Sequence, residues 1–390
     1  MVFQSTPRLL IAVTHPMTAR YLMAGQLSYL NRAGFDVLLA SAGGADLEVV
    51  EQREGVGTRS ISMARKPRPW RDLASLVRMS RLIRQIRPLI VNASTPKAGL
   101  LGMLAARMAG VPVRIYTLRG LRLETIPPPW RSLLLRLERL AASSSTRVIC
   151  VSESLRARAL DLQLFAESKA EVLGGGSSNG VDTDRFQPAD AQARKAARKG
   201  LGIPESASVL GFVGRQVRDK GVEDLAEIFL DSISEDYPDA HLLLIGDYEE
   251  ADPVQKGTKQ RLESHPRVLH MGFVEDVALY YRAMDLLVFP SYREGFPNAP
   301  LEAAASGVPV AGYSATGTVD AVVDGTTGTL VPVGSRDALL RSVCKYLDSP
   351  ELASRHGIAG RERAVREYRQ ELVWERWSAF YRRELEQMER

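Results

Sequence analysis

Two carboxylates, Glu294 and Glu302, stand eight positions apart in Pro-Ser-Tyr-Arg-Glu-Gly-Phe-Pro-Asn-Ala-Pro-Leu-Glu, residues 290–302. A Gly-Phe-Pro turn and a helix start lie between them. Carboxylates placed this way can accept hydrogen bonds from sugar or ribose hydroxyls. The unpaired N–H groups and positive dipole end of a helix suit a phosphate. Upstream, Gly214-Arg215-Gln216-Val217-Arg218-Asp219-Lys220-Gly221 puts two cations, Arg215 and Lys220, on one loop. Gly214 lets the backbone approach a ligand closely. Arginine grips phosphate with two parallel hydrogen bonds, and lysine supplies a compact point charge. A departing diphosphate needs its growing charge neutralised, by a metal or by fixed cations. No Asp-x-Asp element stands in a matching context, so fixed cations and no metal are expected. The plain alternatives are a solvated basic loop and an early-helix carboxylate favoured only by the dipole.

These residues need strands and helices to hold them. The run Leu286-Leu287-Val288-Phe289 before Glu294 has the length of a buried strand. Glu294 is therefore expected on a loop at a strand's carboxyl end and Glu302 early in the next helix, where open parallel sheets bind ligands. Leu9–Val13, Val37–Ala40, Leu89–Asn92, Val113–Leu118 and Val148–Val151 read as strands of a first half. Helices are expected near 18–33, 72–87, 97–109, 130–143 and 153–162. The breaker cluster Gly174-Gly175-Gly176-Ser177-Ser178-Asn179-Gly180 ends that pattern. It then restarts with strands at Val209–Val213, Leu242–Ile245, Val268–His270, Leu286–Phe289 and Val308–Ala311. The helices of this half are expected at 221–235, 254–264, 276–283, 299–306, 336–347 and 351–367. Such βα alternation implies parallel sheets covered on both faces. The reading is an α/β chain with a doubly wound domain at 1–175, a second at 176–371 and a cleft between them. In the final segment, 372–390, Trp374, Trp377, Phe380 and Tyr381 recur at helical spacing and read as a docking helix's buried face.

A chain of 390 residues suits two domains. No apolar run approaches the ~20 residues needed to span a bilayer, and the first run reads as a buried strand rather than a secretory signal. Cys150 and Cys344 allow no disulfide framework or zinc set, which fits a reducing cytoplasm. Charge is split: residues 1–175 hold 25 Lys+Arg against 12 Asp+Glu, whereas 176–390 are net acidic. Residues 65–147 alone hold 17 basic and 3 acidic side chains, which speaks to partners rather than fold. Arg65, Lys66, Arg68, Arg71, Arg78, Arg81, Arg84 and Arg87 interleave with Leu73, Leu76, Val77, Leu82 and Ile83 as a basic amphipathic helix. Pro127-Pro128-Pro129-Trp130-Arg131, followed by Leu133-Leu134-Leu135-Arg136-Leu137, is a second candidate for a headgroup boundary. The plain alternative is that each helix packs its apolar side on the sheet and solvates its arginines.

The ordered motifs resemble family 4 of the retaining glycosyltransferases, of GT-B fold, in particular members that build bacterial surface polysaccharides. Gly214-Arg215 with Lys220-Gly221 is similar to the family's G-R-x4-K-G element, and Glu294 with Glu302 to its E-x7-E element. Asn179-Gly180-Val181-Asp182 resembles the interdomain linker, and Gly272-Phe273-Val274 the loop beside the nucleotide base. Ser306-Gly307-Val308-Pro309-Val310 and Gly317-Thr318-Val319-Asp320 continue the likeness. The resemblance implies that Glu302 binds the donor ribose and Glu294 faces the donor sugar, and that Arg215 and Lys220 hold the diphosphate. It places Phe273 and Val274 beside the base. Gly214, Gly295, Phe296, Pro297, Asn298 and Ala299 would line the donor site. His15, Thr18, Lys97, Arg119 and Arg122 would stand on the acceptor side. It further implies retention of configuration, with the acceptor hydroxyl attacking on the face from which the diphosphate leaves. No cofactor is expected beyond the nucleotide sugar, with UDP the first expectation.

The chain departs from the family twice. The first βα loop reads Thr14-His15-Pro16-Met17-Thr18 where a Gly-Gly pair is common, and Arg119 stands where a His is common. Arginine cannot act as a base, but it binds phosphate or developing charge. The expected acceptor is a polyprenyl-diphosphate-linked glycan, met by an enzyme peripheral on the inner face of the plasma membrane. A nucleic-acid binder lacks supporting motifs, and a dehydrogenase would need G-x-G-x-x-G in the first βα loop. A sugar-nucleotide-binding protein or an epimerase of the same fold is the alternative.

Overall fold

The computed structural model describes residues 6–63, 68–124, 126 and 130–388. The chain forms two compact units. One holds the residues up to Asn179 together with the segment from Glu371, and the other spans Gly180–Gln370.

In the first unit β1 (Arg8–Ala12), β2 (Asp36–Ser41), β3 (Gly57–Ser60), β4 (Ile90–Ser94), β5 (Val113–Leu118), β6 (Arg147–Cys150) and β7 (Ala170–Glu171) pair in parallel. Their order is β3-β2-β1-β4-β5-β6-β7. In the second, β8 (Ser208–Val213), β9 (Ala240–Ile245), β10 (Val268–Gly272), β11 (Leu286–Phe289), β12 (Val310–Tyr313) and β13 (Gly328–Val331) form a parallel sheet. Its order is β10-β9-β8-β11-β12-β13. Both sheets are doubly wound α/β, as the βα alternation requires. The direction in which successive strands are added to the sheet reverses between β1 and β4 in one and between β8 and β11 in the other. These switch points leave crevices at the strands' carboxyl ends. The central strands read as apolar runs because both faces are covered; every residue of β4 and β11 is buried.

The helix expected at 18–33 is two helices, Pro16–Leu22 and Gln26–Arg32. Gly25 breaks it with φ 79°, and a Cβ there would lie 2.5 Å from the Trp374 ring. Only glycine accepts both the left-handed backbone and that approach. Sequence periodicity also missed β3, β7 and β13, which are short strands at sheet edges, and the helices Ala45–Glu54 and Ala191–Gly200.

The last helix, Gln370–Met388, belongs to the first unit's core. Val373, Trp377, Phe380, Tyr381 and Leu385 pack with Leu9, Ile11, Leu27, Leu30 and Val37. Two of its polar ends are matched: Trp374 Nε1 donates to Asn179 Oδ1 at 2.7 Å, and Asn92 Nδ2 donates to the Tyr381 hydroxyl at 2.7 Å. Thr117 Oγ1 donates to Asn92 Oδ1 at 2.7 Å, so the Asn92 amide is satisfied on both sides.

Helix Pro69–Ile86 buries Ser75, Met79, Ile83 and Ile86 and lies, like Trp130–Ser144, against Pro96–Met108. Its opposite side carries Trp70, 84 % exposed, then Leu73, Val77, Arg81 and Arg84, all exposed. Trp130, 61 % exposed, heads a second stripe with Leu133 and Leu140, beside exposed Arg131, Arg136 and Arg139. The expected basic stretch also includes Arg65 and Lys66, and the second candidate begins with Pro127-Pro128-Pro129. Those five residues lie outside the described residues.

Trp377→Ala would empty a site packed against Phe380 and Tyr381 in the first core. The expected loss is about 3–5 kcal/mol, read as an earlier urea unfolding transition with loss of near-UV dichroism.

Candidate active site

The second unit's switch point lies between β8 and β11, and the loops that follow these two strands carry the charged motif residues. After β8 the chain runs through Gly214 and Arg215 to a 3-10 turn, Arg218–Lys220, and then Gly221. Gly221 has φ 70°, and a Cβ there would sit 2.1 Å from the Pro290 carbonyl oxygen. A side chain at 221 would therefore push the Lys220 loop off the end of β11. Gln216, buried, donates from its amide to the Gly246 carbonyl at 2.6 Å and from its backbone to Asp247 at 2.8 Å, fixing the loop's other side.

Lys220 Nζ and Glu294 Oε1 lie 2.5 Å apart, with side chains 16 % and 15 % exposed. Half-dry surroundings strengthen this attraction over that of an exposed pair. Arg215 lies farther out, paired with Glu249 at 2.9 Å. The Glu294 backbone N–H donates to the Thr316 carbonyl at 3.0 Å, which ties this loop to the one after β12.

Helix Asn298–Ala305 starts just after Pro297, its extended N-cap. Asn298 and Ala299 are partly exposed in the first turn, whereas Gly295, Phe296 and Pro297 are buried. Phe296 packs on Tyr368 at 5.2 Å between ring centroids. Glu302, one turn into the helix, accepts from the Tyr281 hydroxyl at 3.1 Å; the same hydroxyl lies 3.1 Å from the Ala299 carbonyl. Burial pushes the Glu302 carboxyl up to about 7, against the opposing pull of the Tyr281 hydrogen bond and the Arg185 charge. The partner Tyr281 lies far off in sequence, on an ordinary apolar helix, and no motif flagged it. After β10, Phe273, half exposed, is held by its backbone N–H to Asp247 Oδ1 at 3.0 Å, and Val274 follows it.

The residues expected on the acceptor side all lie in the first unit, on the loops and first helical turns that follow β1, β4 and β5. His15 caps helix Pro16–Leu22, accepting from Met17 N–H at 3.3 Å, with Thr18 in the same turn. Thr14 Oγ1 and Thr95 Oγ1 lie 2.7 Å apart and join the loops after β1 and β4. Lys97 is paired with Asp72 at 2.8 Å, and Arg122 is exposed on a short turn. Arg119 is different. Its Nε and Nη1 are buried and have no partner among the described residues. Burial lowers its guanidinium to about 10, with nearby Tyr381 opposing. It stays charged at neutral pH, and its two unmatched donors are costly unless an acceptor meets them. Among the described residues no group of three or more His, Cys, Asp or Glu side chains is placed to hold a metal ion.

Two parallel doubly wound units in one chain define the GT-B class of fold. Residues 19–176 match the family described as "Glycosyl transferase 4-like domain", and residues 207–349 match "Glycosyl transferases group 1". The chain is 35 % identical over 368 residues to the capsular polysaccharide biosynthesis glycosyltransferase CapM of Staphylococcus aureus, covering 94 % of this chain and 95 % of that one. It is 28 % identical to the UDP-Gal:alpha-D-GlcNAc-diphosphoundecaprenol alpha-1,3-galactosyltransferase of Escherichia coli, over 72 % of each chain. Anabaena Alr3699/HepE, solved in complex with UDP and glucose, superposes with a TM-score of 0.81 at 18 % identity, covering 96 % of this chain and 98 % of that one. The chain belongs to the group 1 glycosyltransferases of the family 4 type and is a glycosyltransferase.

Glu302 provides a ligand-free test. Its carboxyl is expected to titrate near 7 rather than at the ordinary 4.5. Tyr281→Phe should move it higher still, read by carbon-13 NMR of labelled glutamate. The folded protein then holds more protons than the unfolded chain between these values. The group's contribution to stability therefore falls as pH rises from 4.5 to about 7. Glu302→Gln should flatten that slope in urea titrations.

Proposed function

We propose that this chain is a retaining, metal-independent glycosyltransferase that moves a hexosyl or N-acetylhexosaminyl group from a UDP-sugar to a polyprenyl-diphosphate-linked glycan. The glycan would be a precursor of a bacterial surface polysaccharide or glycoprotein glycan. The observation that carries the reading is the meeting of Lys220, Glu294 and the helix bearing Glu302 around one switch point. In it Glu302 accepts from the ribose hydroxyls, Phe273 and Val274 flank the base, and Arg215 and Lys220 neutralise the diphosphate. Glu294, released from Lys220, faces the donor sugar, and the N–H groups of Phe296, Asn298 and Ala299 line the sugar and diphosphate. The acceptor hydroxyl attacks on the side from which the diphosphate departs, and the departing phosphate oxygen takes its proton. The protein contributes position and charge. On the acceptor side, the two unmatched donors of Arg119 suit an anionic group. UDP is favoured because it occupies the HepE complex and stands in the name of the Escherichia coli relative.

A lipid-linked acceptor calls for a protein that works at a membrane. No described helix is long and apolar enough to cross one. The exposed stripes headed by Trp70 and Trp130, set among arginines, support peripheral binding to an anionic leaflet. Each basic residue near that surface adds about 1 kcal/mol.

The first test is binding and hydrolysis of UDP-, GDP-, ADP- and dTDP-sugars without added metal. One donor should bind selectively, and Lys220→Ala should weaken it about 10–100-fold by removing a charge-assisted bond. Folded protein that binds none of them refutes the transferase reading; a donor converted to an epimer without acceptor marks the alternative.

Protonated Glu302 loses acceptor capacity for the ribose. Donor affinity should thus fall about tenfold from pH 8 to pH 6, the direction set by its raised carboxyl. Glu302→Gln should bind weakly at both pH values.

Vesicles containing phosphatidylglycerol should retain the protein at low salt and release it at high salt. Retention should weaken in Trp70→Ser and Trp130→Ser. Protein that stays in solution with such vesicles at low salt removes the membrane part.

A further inference from the structure

Two neighbouring dipeptides face each other with their charges reversed. Asp219-Lys220 ends the turn after β8, and Arg293-Glu294 lies in the loop after β11. Lys220 pairs with Glu294, and Arg293 Nη2 pairs with Asp219 Oδ2 at 2.5 Å, with side chains 18 % and 12 % exposed. Asp219 is tied at three points. Its backbone N–H donates to Asp252 Oδ2 at 2.9 Å, its carbonyl accepts from Tyr292 N–H at 3.0 Å, and its carboxylate holds Arg293. Tyr292 adds a further tie, donating its hydroxyl to Asp224 Oδ2 at 2.6 Å on the helix that follows Gly221. The same Asp224 oxygen accepts from Tyr313 at 2.7 Å.

We propose that Asp219 and Arg293 are positioning residues that sort the charges of this site, so that Lys220 and Glu294 stay available to the donor. The inference rests on the transferase reading above. In the free protein Lys220 and Glu294 neutralise each other. A nucleotide-diphosphate sugar draws Lys220 to its phosphates and frees Glu294 for the sugar. At that moment their contact no longer ties the two loops, and the Asp219–Arg293 pair keeps them in register. It also blocks wrong pairings. Without Asp219, Arg293 loses the carboxylate that holds its guanidinium away from its neighbour Glu294. Without Arg293, Asp219 is a loose anion one residue from Lys220. In a half-dry crevice either stray charge competes with the ligand for the working residue. Displacing a reacting group by about 1 Å costs on the order of 10²-fold in rate.

The test uses the full chain and the UDP-sugar it turns over. Arg293→Ala and Asp219→Asn are each expected to lower kcat about 10²-fold, while the Kd for UDP rises by less than about tenfold, because Lys220 itself, Arg215, Glu302 and the helix start all remain to hold the nucleotide. Arg293→Lys, which keeps the charge, should recover at least about tenfold of the loss. The double variant should be no slower than either single one, because both remove the same pair. Asp219→Asn preserves volume and both backbone bonds, so a folded protein remains for assay. Single variants at the wild-type rate, no recovery in Arg293→Lys, losses that multiply in the double variant, or UDP binding lost as fully as turnover would each overturn the role. A wild-type protein inert toward every donor overturns the transferase reading and the role together, and is recognised by the inertness of the wild type itself.

Discussion

The ion pair between Lys220 and Glu294 makes the strongest demand on its surroundings. A lysine and a glutamate held 2.5 Å apart with most of their side chains out of water are tolerable only as a pair. In the proposed reading each is also the group that a diphosphate or a sugar recruits. The site therefore has to hold two opposite charges close enough to offset their desolvation and loosely enough to be separated by a ligand. A parallel sheet with a switch point meets that demand. β8 and β11 are neighbours in space although two other strands separate them in sequence. Their loops leave in opposite directions and open a crevice that no through-going helix fills. The glycine at 221, pressed on the Pro290 carbonyl, and the ties made by Asp219 and Asp224 bring the loops into register around the pair. The Glu302 carboxyl follows the same logic. Burial holds its pKa near neutrality, and a hydroxyl from Tyr281 keeps one oxygen occupied.

The first unit poses the converse problem, an isolated cation. Arg119 follows β5 with two buried donors that have no partner among the described residues, beside the satisfied chain Thr117–Asn92–Tyr381. A guanidinium in that state destabilises the folded protein unless something else supplies an acceptor. The anionic group proposed for the acceptor side is one that would supply such an acceptor.

Much of the site was legible because its chemistry is local. Glu294 and Glu302 sit on one strand-loop-helix passage, and Arg215 and Lys220 on another, so each pair shows as a short motif whose resemblance to a family element can be read. The apolar runs that became β4, β8 and β11 were legible for a similar reason, since a strand covered on both faces must be apolar throughout. Sequence fell silent where the cause lies far away along the chain. The break at Gly25 is set by Trp374, whose ring occupies the space a side chain would need. β3 reads Gly-Thr-Arg-Ser and carries no apolar signal, because it lies at a sheet edge. Tyr281 and the Asp219–Arg293 pair act through contacts that no single motif contains.

The order in which the chain visits its two units has a consequence for folding. The first unit is left at Asn179 and regained only at Glu371, after the whole of the second. The returning helix supplies Trp377, Phe380 and Tyr381 to the core under β1 and β2, and Tyr381 meets Asn92 in the centre of the sheet. Until the segment from Glu371 onward leaves the ribosome, that core is open and the Asn92 amide lacks one of its partners. The second unit has all its strands and its motif loops within one continuous stretch, so its contacts form between residues already made. Domains fold as units during synthesis, N-terminal ones usually first. Here the N-terminal unit depends on the C-terminal helix, and the unit carrying Lys220, Glu294 and Glu302 is the one able to close first.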